Sequence, residues 1–106
     1  MTELPSAPLV LVLEDEVVVA MEIEIRLVSL GYRVAGPVST VDAALLLAQR
    51  ERPDLLLADV RLEGTQDGIT AAAALRAQLG VPVVYLTAHT DAATLARAIA
   101  TEPFGY

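Results

Sequence analysis

The residues of this 106-residue sequence best placed to do chemistry are acids that follow apolar runs. Glu14 and Asp15 come after Leu9 to Leu13, and Asp59 comes after Leu55-Leu56-Leu57-Ala58. Thr87 stands in the same way after Val83 to Leu86. If the ends of the first and third segments lie side by side, their carboxylates share one crevice. Carboxylates about 5 Å apart repel by roughly 3 kcal/mol per pair at an effective dielectric near 20, so three do not all stay ionised without a cation. Hard oxygen ligands on a partly open site suit Mg²⁺, which keeps several waters and shares its shell with phosphoryl groups. A carboxylate beside such an ion can attack phosphorus and form an aspartyl phosphate, while the ion offsets charge during in-line transfer.

The elements that must position these groups alternate between short apolar runs and helical patterns. Leu9 to Leu13 reads as a strand, and after Glu14-Asp15-Glu16 an apolar-rich stretch runs to Leu30, closed by Gly31 as a C-cap. Within that helix Ile23, Leu27 and Leu30 share one face, Met21 is assigned to the core, and Glu22 pairs with Arg26 elsewhere. Tyr32 to Ala35 suits a short edge strand running into Gly36-Pro37. Ser39 or Thr40 caps a helix through Arg50 with Val41, Leu45 and Ala48 inward, and Pro53 stops it. The third strand ends on Asp59, and a polar loop to Asp67-Gly68 leads into a helix from about Ile69 to Leu79. Ile69, Ala72, Leu75 and Leu79 share its inner face. Gly80 ends it, Val83 to Leu86 is a strand, Asp91 caps a weak helix through Ala100, and Phe104-Gly105-Tyr106 begins a further element. Two-sided apolar strands alternating with helices predict an α/β doubly wound parallel sheet covered on both faces. With strand order 2-1-3-4-5, the first and third strands are neighbours at the switch point, where such folds place their sites.

Composition narrows the alternatives. With 55% hydrophobic and 20% charged residues the chain is expected to fold as one domain rather than stay disordered. No apolar run approaches the roughly 20 residues of a membrane span. The first eight residues resemble a tail and not a signal peptide, so a cytoplasmic location is expected. A net charge of −7 argues against direct nucleic-acid binding. The absence of cysteine excludes disulfides and thiolate chemistry, and the single His89, with no clustered partner, reads as a bystander.

Glu14-Asp15 after an apolar strand, Asp59 closing Leu-Leu-Leu-Ala, Asp67-Gly68-Ile69 at a helix start, Thr87-Ala88 after the fourth strand and Pro103-Phe104-Gly105-Tyr106 resemble, in order and spacing, a response regulator receiver domain of two-component signalling, CheY-like and flavodoxin-like in fold. The resemblance implies that Asp59 is the phosphoacceptor, Asp15 the main metal carboxylate, Glu14 its partner through water, and the Arg61 backbone carbonyl a further ligand of Mg²⁺. It implies that Thr87 and the Ala88 amide hold the phosphoryl oxygens and that Tyr106 changes rotamer with the switch. The implied partners are a sensor histidine kinase or histidine phosphotransfer protein. Such a domain catalyses only its own phosphorylation and dephosphorylation.

The departures carry expectations of their own. The lysine–proline pair that the family places beyond Tyr106 has no counterpart here, and all seven basic residues are arginine. Glu63 stands where the loop after Asp59 usually has proline. Most of the fifth strand and the last helix are expected to be absent, which would leave open the sheet face they share with the first helix. A homodimer, an exchange of elements or an unstable monomer is then expected; a longer chain carrying the missing elements is the alternative. Three other functional readings remain. A flavodoxin-type nucleotide module requires a Ser/Thr/Gly-rich first turn where this chain has three acids. A haloacid-dehalogenase-like phosphatase requires an acid where Arg61 stands. A degenerate receiver would act as a phosphorylation-independent interaction or dimerisation module.

Overall fold

The computed structural model of the chain describes residues 7–59 and 68–86. Its elements run β1 (Leu9–Leu13), α1 (Val17–Ser29), β2 (Arg33–Val38), α2 (Val41–Glu51), β3 (Leu55–Asp59), α3 (Gly68–Leu79) and β4 (Val83–Leu86). The four strands form one parallel sheet in the order β2-β1-β3-β4. This is the expected doubly wound order through the fourth strand. Parallel pairing requires each strand to return over a face of the sheet, and the helices supply those crossovers. All five residues of β1 are buried, as a central strand covered on both faces requires.

One face carries the main core. Leu9, Leu11, Leu13, Leu56, Ala58, Val83 and Tyr85 project from alternate strand positions and pack with Val41, Ala44 and Ala48 of α2 and Ile69, Ala72 and Leu75 of α3. Small residues on the inner sides of both helices let them settle close to the strands. The Thr40 hydroxyl caps α2 by accepting the Ala43 N–H at 3.1 Å. Helix α2 ends at Arg52, held at φ 52°, a left-handed position more often given to glycine or asparagine. The loop before β3 is tied to β1 at both ends of Asp54: the Leu9 N–H donates to its carboxylate and its own N–H donates to the Leu9 carbonyl, each at 2.8 Å.

Some expectations are corrected. Met21 is 56% exposed and Leu30 72% exposed, so neither belongs to the core. The side of α1 turned to the sheet is Ala20 with half-buried Ile23 and Leu27, because the small Ala20 allows close approach and Met21, one position on, is rotated away. Strand β2 does not stop before Gly36-Pro37 but runs through them to Val38. It is the edge strand, so the missing Pro37 N–H breaks no ladder on its outer side. An irregularity in its pairing between Leu11 and Leu13 of β1 absorbs the extra residue. Gly36 sits there at φ +86°, where a Cβ would lie 2.8 Å from the Val38 nitrogen. The expected helix over 91–100, the incipient fifth strand, the loop 60–67 and His89 lie outside the described residues.

Candidate metal centre

Strands β1 and β3 are adjacent and parallel, with Leu13 opposite Ala58. The residues that come next along each chain, Glu14 and Asp59, therefore emerge together at the carboxyl edge of the sheet. One carboxylate oxygen from each of Glu14, Asp15 and Asp59 lies within 4.8 Å of the others. These are the acids the sequence expects to meet. Arg61, Thr87, Ala88 and Tyr106, the other expected site residues, lie outside the described residues.

The three acids are not equivalent. Asp15 and Asp59 are half-buried, whereas Glu14 is only 4% exposed. Its backbone N–H donates to the Val38 carbonyl at 2.9 Å, tying the end of β1 to the end of β2. Its Oε1 accepts the Glu16 N–H at 3.1 Å across the turn into α1. Burial, a side-chain hydrogen bond with Asp59 and the negative charges of Asp59 and Asp15 push the Glu14 carboxyl up to about 7, against the pull of the Glu16 amide. Around neutral pH the Glu14 carboxyl is thus only partly ionised, its burial first and the neighbouring acids second favouring the neutral form. The acid singled out as a secondary, water-mediated partner is the most enclosed of the three. Sequence could not rank them, since the ranking follows from how β2 closes over the end of β1.

This donor set fits a small divalent cation. Three hard carboxylate oxygens converge within 4.8 Å of one another, the kind of ligand a small divalent cation takes. Beside the acids lies a cleft of about 410 Å³ whose walls include Val17, Ala20, Met21, Pro37 and Val38. Met21 lines this cleft and is no part of the core.

A parallel sheet of order 2-1-3-4, helices on both faces and an acidic cluster at the carboxyl edge define a flavodoxin-like, doubly wound α/β fold with its candidate site at the switch point. A sequence model of the response regulator receiver domain matches residues 10–106, and the chain belongs to that family. It is 34% identical over 83 residues to the phyllosphere-induced regulator PhyR of Methylorubrum extorquens, covering 77% of this chain and 31% of that protein. It is 34% identical over 89 residues to the transcriptional regulatory protein PdtaR of Mycobacterium tuberculosis, covering 84% of this chain and 43% of that protein. The chain thus spans less than half the length of these relatives. Among solved structures, the signal receiver domain of a modulated diguanylate cyclase from Desulfovibrio desulfuricans superposes with a TM-score of 0.89 at 39% identity, covering 94% of this chain and 79% of that one. Receiver domains are signalling domains, not metabolic enzymes. No helix among the described residues is long and apolar enough to cross a membrane.

Proposed function

We propose that residues 1–106 form one receiver domain, with 1–8 as a tail, that takes a phosphoryl group onto Asp59 from a phosphohistidine of a sensor kinase or phosphotransfer protein. The observation that carries this reading is the convergence of Glu14, Asp15 and Asp59 within 4.8 Å at the meeting point of β1 and β3. Asp59 is the acceptor: its carboxylate oxygen forms the new bond to phosphorus as the bond from phosphorus to the donor nitrogen breaks, and the imidazole leaves with the electron pair. Asp15, Glu14, Asp59 and the Arg61 carbonyl would hold Mg²⁺, which when bound would supply positive charge to the phosphoryl oxygens. Thr87 and the Ala88 amide receive phosphoryl oxygens, and Tyr106 transmits the change to a partner-binding surface. The domain works in the cytoplasm and binds no nucleic acid itself, in keeping with its charge of −7.

The test is intact-mass measurement after incubation with a small phosphodonor and Mg²⁺. The parent is expected to gain one adduct of about 80 Da, the mass of a phosphoryl group, and Asp59→Asn none. A parent that gains no adduct removes the acceptor assignment.

One observation favours a second reading, a degenerate receiver that associates through α1 irrespective of phosphorylation. Val17, Met21, Ile25 and Val28 form an exposed apolar stripe along that helix. This reading expects a homodimer whose mass in light scattering does not change with phosphodonor. A monomer at all concentrations removes it.

A further inference from the structure

Gly68 opens α3 and is buried against the strand that carries Asp59. A Cβ placed on it would collide with the Asp59 carbonyl oxygen and lie 2.9 Å from the Asp59 carbonyl carbon and 3.4 Å from the Ala58 Cβ. The obstacle is backbone, which cannot swing aside as the tip of a flexible side chain can. Helix α3 cannot readily retreat either, because Ile69, Ala71, Ala72 and Leu75 hold it in the core. Asp59 is the last residue of β3, with its pairing fixed on the β1 side at Ala58 and on the β4 side at Leu86. A side chain at position 68 would therefore act on the one residue of β3 whose carboxylate must meet Glu14 and Asp15.

The geometry points to Gly68 as a positioning residue: by letting the start of α3 rest directly on the Asp59 backbone, it holds the Asp59 carboxylate within reach of Glu14 and Asp15. This rests on the acceptor reading for its consequence, though not for its geometry. Alanine is otherwise the better helix former, so a penalty on Gly68→Ala comes from the contact and not from helix propensity. Displacing a metal carboxylate through its support is expected to weaken Mg²⁺ binding about tenfold or more.

The experiment compares the parent, Gly68→Ala and Leu75→Ala, the last a buried change on the same helix away from the acids. Mg²⁺ affinity is measured by calorimetry; the initial rate of adduct formation is followed by intact mass, and the folded fraction by circular dichroism. The expected result is that Gly68→Ala loses about tenfold or more in Mg²⁺ affinity, and falls in rate, at a temperature where it is fully folded. Leu75→Ala, although less stable, keeps the parent's Mg²⁺ affinity. Parent-like affinity and rate in folded Gly68→Ala would overturn the proposal. So would failure of Gly68→Ala to fold even in cold sucrose, since the collision would then be absorbed by the core and not by Asp59. A parent that binds Mg²⁺ but gains no adduct fails the acceptor reading alone, and the affinity comparison still decides the role of Gly68. A parent that binds no Mg²⁺ overturns both.

Discussion

The two faces of the sheet are built from the same kind of residue and end in different states. On the face under α2 and α3, Leu11, Leu13, Leu56, Ala58, Val83 and Tyr85 are all fully enclosed. On the α1 face, Val10 and Val12 of β1 are equally enclosed, but Leu55, Leu57, Val84 and Leu86 of β3 and β4 are only half-buried. Helix α1 covers the half of its face formed by β1 and β2, and among the described residues nothing matches α3 on the other half. Its outer side also remains apolar, with Ile25 66% exposed. Burial is thus decided by what crosses over a strand. Hydrophobicity makes a residue eligible for the core, and the crossover decides whether it gets there.

Substitutions on successive residues of β3 would break this comparison most sharply. Leu56→Ala leaves a cavity in the enclosed core and is expected to cost about 3–4 kcal/mol. Leu57→Ala, one residue on and turned to the α1 face, is expected to cost about 1 kcal/mol. Urea denaturation of both variants measures the difference, and equal costs would mean that the α1 face is as well covered as the other.

Glu14 lies where the carboxyl edge closes over the sheet, and its pH response sharpens the contrast between enclosed and open acids. Its folded carboxyl titrates at about 7 against a reference of 4.5. Between those values the folded state binds more protons than the unfolded one, so this contribution to stability is fully present below the reference value and is lost as pH rises through about 7. Glu14→Gln is expected to flatten that slope. Mg²⁺ is expected to oppose it, because the ion binds the ionised form and its affinity rises over the same interval. Urea midpoints across pH, with and without Mg²⁺, test both.

The smallest effect is expected on the outer side of α1. Ile25→Gln removes an apolar side chain that is already in water and is expected to shift stability by about 0.5 kcal/mol or less. A much larger loss, or a fall in molecular mass by light scattering, would show that a second copy covers this side in solution.

Much of the fold was legible from local chemistry. The third and fourth strands, the Thr40 cap, and Gly31 and Gly80 at the helix ends follow from apolar runs and stop signals that act within a few residues. The extent of β2 was not legible, because proline reads as a terminator unless the strand is known to be an edge. Met21 was misplaced because α1 carries apolar stripes on both sides, and periodicity alone cannot choose between them. For the site, the acid types and their places after apolar runs were legible, and the expected neighbour relation of β1 and β3 predicted that they would meet. The close seat of Gly68 was not, since a glycine at a helix start looks like ordinary turn chemistry until another backbone is found against it.

By itself, then, the sequence determined the alternation of strands and helices and which acids stand at strand ends, because side-chain periodicity and capping are short-range effects. Only the tertiary structure decided that Glu14 is enclosed and its carboxyl pushed up, that Ala20 and not Met21 faces the sheet, and that α3 rests on Asp59. Each of those depends on desolvation or contact by residues distant along the chain, and such effects exist only once the strands have been ordered in space.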